Sequence, residues 1–254
     1  MSIPPRSKPQ KYTAVIESKI QLTTKIFLVN FKLQNPPEIA FLAGQTISLN
    51  VAPSVNRSMS IASPPSEKQH ILMCHDVWPG GPGSQWTIHH NVGDEATFMA
   101  PLGIFIMDKE SHRKKVLVAT GTGIAPYRSM LLDYLEGRLP AGRQGSDDVI
   151  LYWGLRHEED VYWVDEFQAL AAKYPNFRFI LTLSQSTDTW AGKRGRVTDH
   201  VVQNEQNPTG SDFYLCGNQH MIKDMEEQLK EHQVPEHQIF KELENALCEI
   251  TGFA

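Results

Sequence analysis

One segment of the chain, residues 116–131, constrains the fold most because it joins a buried strand to a helix through a glycine turn. An apolar run ending at Thr120 enters Gly121-Thr122-Gly123, and apolar side chains then recur at helical spacing. Glycines let the backbone approach a diphosphate closely, and a helix N-terminus offers free N–H groups. The segment predicts a parallel sheet that binds a dinucleotide, with a turn that binds no ligand as the alternative. Because no Gly-Lys-Ser/Thr follows, the segment is not a P-loop.

The two halves of the chain show different patterns. Segments 12–18, 24–33, 45–51, 59–62 and 70–75 are short, rich in β-branched residues and separated by turn residues, which predicts an antiparallel barrel. Further on, predicted strands 115–120, 148–153, 178–184 and 212–216 alternate with helices after Pro126, over 164–174 and over 219–231. We therefore predict an N-terminal β-barrel domain, residues 1–108, and a doubly wound α/β domain, residues 109–254.

Composition narrows the class of protein. The 254 residues are 41% hydrophobic and 21% charged, which is typical of globular proteins. The net charge of −5 argues against nucleic acid as a partner. No apolar run approaches the ~20 residues that span a bilayer, and residues 1–11 lack the apolar core of a secretory signal.

The cysteines favour a reducing compartment. Cys74, Cys216 and Cys248 form neither a disulfide framework nor a Cys-x-x-Cys motif, so we expect a cytoplasmic protein. A metal site built from Cys74, His75, His89 and His90 is not expected, because adjacent histidines on a strand face opposite ways.

A second candidate segment is Cys216-Gly217-Asn218, directly after a predicted strand. The carboxyl ends of parallel strands line the ligand crevice of an open sheet. We therefore expect Cys216 to face the same cleft as Gly121. A buried structural cysteine is the alternative.

In order along the chain, these motifs resemble those of the ferredoxin–NADP reductase family, and the match covers nearly the whole sequence. The matching segments are Ala43-Gly44-Gln45 with Arg57-Ser58-Met59-Ser60, Gly81-Pro82-Gly83-Ser84, Gly93-Asp94 with Pro101-Leu102-Gly103, residues 120–126, and Cys216-Gly217-Asn218. The resemblance implies a barrel that binds FAD and a wound sheet that binds a nicotinamide dinucleotide.

The resemblance also implies roles for individual residues around the flavin. Arg57 would neutralise the FAD pyrophosphate, and Ser60 would hydrogen-bond near flavin N5. The cofactor-contacting set further includes Ser58, Met59, Met73, Cys74, His75, Gly81, Pro82, Gly83 and Ser84. A solvated strand histidine is the alternative for His75.

Two further implied roles concern the redox rings. Cys216 would pack near nicotinamide C4 and position it. The family's flavin-stacking aromatic residue is replaced by Met59, so a second side chain, Phe253, is a candidate to cover the flavin. A frayed hydrophobic chain end is the alternative for Phe253.

The choice of nucleotide depends on cations, because NADPH carries an additional 2′-phosphate. Arg156 and Arg196 resemble residues that bind this phosphate in the family. The usual Ser-Arg is Ser184 followed by glutamine here, for which Lys193 and Arg194 would compensate. We expect NADPH, with NADH as the alternative.

The acceptor is expected to be a separate protein, because the chain has no Cys-x4-Cys-x2-Cys run for a plant-type iron–sulfur cluster. The first expectation is a monomeric reductase of ferredoxin or flavodoxin. The alternatives are an NADH-dependent reductase component of an oxygenase or cytochrome system, or a flavin-carrying subunit of a larger complex. Residues 1–40 carry six cations and two acids, which would suit an acidic partner or make an ordinary solvated surface.

Overall fold

A computed structural model describes residues 7–78, 80–136 and 147–242. Contacts group residues 7–107 with 125–136, and residues 108–124 with 147–242. Among the residues described, no helix is both long enough and apolar enough to cross a membrane.

The N-terminal part is an antiparallel sheet of six strands with one helix. Its elements are β1 (Gln10–Gln21), β2 (Ile26–Asn35), β3 (Thr46–Ala52), β4 (Val55–Ser60), β5 (His70–Asp76), α1 (Pro82–His89) and β6 (Glu95–Leu102). The strand order is β4-β3-β6-β1-β2-β5. A bridge between Ile61 and Met73 joins the two edges of this sheet, so the sheet curls into a barrel.

The barrel closes around an apolar core because alternate strand residues face inward. In β1 the inward residues are Tyr12, Ala14 and Ile16, each 1% exposed. Phe31 packs against Trp86, with ring centroids 6.0 Å apart, so α1 is anchored on the core by its tryptophan.

The second sheet is parallel throughout, with helices between its strands. Its elements are β7 (Lys114–Thr120), α2 (Ile124–Leu135), β8 (Val149–Leu155), α3 (Val164–Lys173), β9 (Phe177–Leu183), β10 (Lys193–Arg194), α4 (Val197–Asn204), β11 (Ser211–Cys216), α5 (Gln219–Glu231) and β12 (Ile239–Lys241). The order β10-β9-β8-β7-β11-β12 places the first strand, β7, between β8 and β11. Strand order reverses at β7, which is where doubly wound sheets bind ligands.

The predicted fold class is confirmed, and the differences are local. Strands β6, β10 and β12 and helix α4 were not predicted. Strand β6 contains Pro101, which weakens a strand pattern. Residues 81–84, expected as a turn, form the start of helix α1, because proline suits the first helical turn. His89 ends that helix instead of lying on a strand.

Candidate active site

Three of the predicted flavin residues meet around Gly83 in α1. A Cβ atom placed on Gly83 would lie 3.3 Å from Met59 Cε, 3.4 Å from Arg57 Cγ and 3.4 Å from His75 Cε1. Residues from β4, β5 and α1 therefore converge on one point. Glycine at position 83 leaves room for these side chains beside the α1 backbone.

The N-terminus of α1 has the properties of an anion site. Gly81 caps the helix without a side-chain hydrogen bond, and the first turn holds no acidic residue. Free N–H groups and the helix dipole favour negative charge there. Arg57 is exposed, and its Nη1 donates to the Asn56 carbonyl at 2.8 Å, which leaves further guanidinium donors available. This donor set fits a diphosphate, as the FAD assignment requires.

His75 contributes to this site without contributing charge. Its Nδ1 lies 2.8 Å from Thr87 Oγ1, so the β5 residue is tied to helix α1. Burial lowers the pKa of His75 to about 4, so the ring is neutral at physiological pH. The positive charge of the site therefore comes from Arg57 and the helix. The side chain is half-buried, unlike the solvated histidine considered from sequence.

The opposite face of β4 presents hydroxyl groups. Ser60 pairs directly with Thr46 of β3, and Ser58 pairs with Ser48. Thr46 Oγ1 is buried and has no hydrogen-bond partner within the described residues. A buried, unsatisfied hydroxyl beside Ser60 fits a ligand that offers hydrogen bonds. Sequence analysis missed Thr46, because nothing in its local sequence marks it.

Three of the predicted flavin residues belong at least partly to the barrel wall. Met59 and Met73 are members of the barrel core, at 9% and 0% exposed. Cys74 is buried and forms no disulfide with any other described residue. The structure therefore gives Met59 two kinds of neighbours, the apolar core and the α1 backbone at Gly83.

The nucleotide loop is packed directly against the end of β11. Gly121–Gly123 form a single 3₁₀ turn after β7. A Cβ on Gly123 would lie 2.5 Å from the Cys216 carbonyl oxygen, and one on Gly217 would lie 2.3 Å from Thr120 Oγ1. Asn218 N donates to Thr120 Oγ1 at 2.8 Å. The structure thus brings the two predicted nucleotide motifs together.

Two aromatic residues fix the orientation of the glycine turn. Trp153 Nε1 donates to the Gly121 carbonyl at 3.0 Å, and Tyr162 Oη approaches the same oxygen at 3.4 Å. Trp153 is fully buried in β8. The Gly121 carbonyl is therefore satisfied within the protein, which holds the turn in one orientation. Neither aromatic residue was identified from sequence.

Cys216 has an acidic neighbour that sequence analysis also missed. Its thiol donates to Glu242 Oε2 at 2.7 Å, and Glu242 N donates to the Leu215 carbonyl at 3.0 Å. The thiol is 2% exposed. The contact follows from the pairing of β11 with β12, which brings the end of β12 beside Cys216.

The residues predicted to bind the 2′-phosphate lie after β8 and β9, in β10 and at the start of α4. Arg156 and Ser184 follow β8 and β9, and both are exposed, while Lys193 and Arg194 form β10 and Arg196 caps α4. Phe253 lies outside the described residues. Among the described residues, no three His, Cys, Asp or Glu side chains lie close enough to hold a metal ion.

The sequence of this chain is similar to a family model and to several characterised reductases. A family model described as an oxidoreductase NAD-binding domain matches residues 117–227, which include the glycine turn and Cys216. The Sorangium cellulosum ferredoxin–NADP reductase B is 31% identical over 204 residues, which are 76% of this chain and 81% of the relative. The toluate 1,2-dioxygenase electron transfer component of Pseudomonas putida is 30% identical over 84% of this chain. The chain spans 61% of that relative's length.

Solved structures show the same fold. The cytochrome P450 reductase GcoB of Amycolatopsis superimposes with a TM-score of 0.83 at 26% identity, over 92% of this chain and 69% of that one. The Neisseria gonorrhoeae ferredoxin NADP+ reductase with bound FAD and NADP gives a TM-score of 0.75 at 21% identity, over 93% and 99% of the two chains.

The fold and the family model identify residues 117–227 as an oxidoreductase NAD-binding domain. This chain belongs to the ferredoxin–NADP reductase family. The predicted family is thereby confirmed.

Proposed function

We propose that this chain is a FAD-dependent reductase that takes hydride from NAD(P)H and passes electrons to a separate one-electron carrier. The observation that carries the proposal is that one chain holds two features suited to binding a diphosphate. One is the α1 N-terminus with Arg57, and the other is the 121–123 turn packed on Cys216-Gly217. A flavin dinucleotide and a nicotinamide dinucleotide each need one such feature.

In the barrel, Arg57 and the first N–H groups of α1 neutralise the FAD diphosphate. Ser60 and Thr46 lie side by side across β4 and β3, and they offer hydroxyl groups to the polar edge of the flavin ring. His75 stays neutral and keeps α1 in place through Thr87. Bound FAD supplies the chemistry that converts a two-electron hydride into single electrons, and the protein supplies position and electrostatics.

In the wound sheet, the N–H groups around Gly121–Gly123 hold the nucleotide diphosphate. Cys216 lies at the end of β11, next to that turn, and positions the nicotinamide ring. Its hydrogen bond to Glu242 fixes the thiol orientation, because a carboxylate acceptor is a strong partner for a weak donor. Cys216 and Glu242 therefore act as one positioning unit.

The carrier proposed first is a ferredoxin or flavodoxin. A second candidate is the reductase component of an oxygenase or cytochrome system, favoured by the identity to the toluate dioxygenase electron transfer component. Steady-state reduction of purified ferredoxin, flavodoxin and cytochrome c, each with the same nucleotide, separates them. The preferred carrier is the one with the highest kcat/KM.

The central test is an absorption spectrum of the purified chain. We expect the bands of oxidised flavin, anaerobic bleaching by NADH or NADPH, and turnover with ferricyanide. A folded protein that never retains FAD, even after reconstitution, contradicts the proposal. A protein that holds FAD but bleaches with neither nucleotide contradicts the reductase assignment alone.

We also propose that the protein works as a monomer in the cytoplasm. The free thiols Cys74 and Cys216 support a reducing compartment. Light scattering coupled to size exclusion checks the first point, since a mass well above 28.7 kDa would refute it.

A further inference from the structure

The adenosine end of the nucleotide site is formed by two loops, and their charges bear on the choice between NADH and NADPH. In doubly wound sheets, an acidic residue at the end of the second strand binds the ribose 2′-hydroxyl of NAD, whereas an arginine accommodates the 2′-phosphate of NADP. The second strand here is β8, and it is followed by both Arg156 and Glu158. The tertiary contacts show how Glu158 is held.

The loops after β8 and β9 are joined into one preassembled rim, residues 155–160 with 184–196. Ser184 N donates to the Leu155 carbonyl at 3.0 Å, and Gln185 N donates to the Arg156 carbonyl at 2.9 Å. The His157 ring nitrogen lies 2.9 Å from the Gln185 carbonyl. These bonds hold residues 155–157, directly before Glu158, against the loop after β9 without any ligand.

Glu158 is held as a carboxylate within this rim. Its Oε1 accepts hydrogen bonds from Thr187 N at 2.8 Å and from Thr187 Oγ1 at 2.7 Å. These hydrogen bonds, of which the one from the Thr187 side chain has the largest effect, hold the pKa of Glu158 below its ordinary value. An ionised carboxylate has about four lone-pair sites on two oxygens, so acceptor capacity remains for a ribose hydroxyl. A 2′-phosphate at the same place would meet a fixed negative charge.

Two of the arginines expected to read the phosphate are engaged elsewhere. Arg194 Nη2 donates to the carbonyls of Asp188 at 2.7 Å and Trp190 at 3.0 Å, and its Nη1 lies 3.6 Å from Asp188 Oδ1. Arg196 Nη1 lies 3.6 Å from Asp224 Oδ2. Arg194 therefore braces its own loop, whereas Arg196 forms an exposed ion pair with helix α5. The position after Ser184, where the family has a further arginine, holds neutral glutamine.

The total charge of the rim also favours a ribose hydroxyl over a 2′-phosphate. It carries four acidic side chains, Glu158, Glu159, Asp160 and Asp188, against four basic ones, Arg156, Lys193, Arg194 and Arg196. A pocket for a 2′-phosphate needs a clear excess of positive charge, since a phosphate monoester carries about −1.5 to −2 charges at neutral pH. A neutral rim suits a ribose hydroxyl.

We propose that this chain selects NADH over NADPH, and that Glu158 is the specificity-determining residue that accepts a hydrogen bond from the adenosine ribose 2′-hydroxyl. This inference rests on the proposed function as a nicotinamide-dependent reductase. It reverses the expectation of NADPH drawn from the arginines in the sequence.

The test compares the FAD-loaded full chain with Glu158→Gln and, as matched control, Glu159→Gln, an exposed neighbouring carboxylate. With ferricyanide as acceptor, we expect kcat/KM for NADH to exceed that for NADPH at least ~10-fold, because a carboxylate and a phosphate in one pocket repel strongly. Glu158→Gln should lower that ratio several-fold, mainly by raising kcat/KM for NADPH, since glutamine keeps an acceptor oxygen. Glu159→Gln removes the same charge from the rim but not the ribose acceptor, so it should lower the ratio much less than Glu158→Gln does.

A second readout is independent of turnover. Calorimetric titration with AMP and with 2′-phospho-AMP should show tighter binding of AMP to the wild type and a smaller difference in Glu158→Gln. A smaller kinetic ratio, a preference for NADPH, or an unchanged ratio in Glu158→Gln overturns the inference. If neither nucleotide is oxidised, the reductase function fails, and the calorimetric comparison still decides the selectivity.

Discussion

Replacing Gly123 by alanine tests the packing of the nucleotide turn on the end of β11. The added Cβ would lie 2.5 Å from the Cys216 carbonyl oxygen, 2.6 Å from its carbon and 2.8 Å from Gly217 Cα, whereas ordinary contact begins at 3.4 Å. All three neighbours are backbone atoms, so no side chain can rotate away. The turn and the 216–217 segment must therefore separate by about 0.9 Å to reach that 3.4 Å contact.

This separation has two measurable consequences. Overpacking of this kind costs about 1–3 kcal/mol, so the free energy of unfolding in urea should fall by that amount. A misplacement near 1 Å costs roughly 10²-fold in rate, so kcat/KM for the nicotinamide nucleotide should fall to that extent. FAD content should be unchanged, because the substitution lies outside the barrel's flavin residues.

The matched control is Gly210→Ala, in another 3₁₀ turn of the same sheet domain. Its Cβ would meet only Asn207 Nδ2, at 3.7 Å, and its backbone is not left-handed. We expect unchanged kinetics and stability equal to or slightly above that of the wild type. If Gly123→Ala matches this control in both stability and kcat/KM, the close packing of the two motifs is not what positions the nucleotide.

Three further predictions concern the flavin site and the nicotinamide site. Arg57→Ala should purify largely without FAD and lose the visible absorbance of the flavin. The control Arg178→Ala, which replaces an exposed arginine in β9, should retain its FAD. Full FAD occupancy in Arg57→Ala would show that Arg57 is not the diphosphate anchor. Burial lowers the pKa of His75 from 6.5 to about 4 in the folded protein. As the pH falls, His75 is therefore protonated in the unfolded chain before it is protonated in the folded one, and the wild type should lose stability below pH 6.5. Between pH 7 and pH 5 this loss should be about 2 kcal/mol of unfolding free energy, measured with urea. It should be absent in His75→Asn and retained in the control His232→Asn, which replaces an exposed histidine. Cys216→Ala should lower kcat for hydride transfer by roughly 10-fold or more with little change in KM. Cys216→Ser keeps a donor for the Glu242 carboxylate and should recover much of the lost kcat. An unchanged kcat in Cys216→Ala would mean that the thiol serves packing alone.

Local sequence predicted the glycine-containing elements to which phosphate binding is assigned. The glycine turn at 121–123 and the motif at 216–218 are recognisable because close backbone approach demands glycine, whatever lies elsewhere in the chain. Periodicity predicted α5 with the bounds observed, Gln219–Glu231, since its apolar face repeats at helical spacing. The predicted bounds of β7 and β11 each lack only the first residue.

The individual roles that the family resemblance implied are not tested by the fold alone. Arg57, Ser60 and Cys216 stay predictions as flavin and nicotinamide residues, although Arg57 and Cys216 lie at places with suitable chemistry. The domain boundary at 108 and 109 likewise stays a prediction.

Sequence alone determined most of the strands and helices and the two glycine features, because each depends on residues within one turn or one strand. The tertiary structure decided which distant side chains meet. Glu242 reaches Cys216 only because β12 pairs with β11, and Trp153 reaches Gly121 only because β8 lies beside β7. The partners of Arg194 and Arg196 were equally invisible, because an arginine has the same charge in the sequence whether an aspartate neutralises it or a phosphate can bind it.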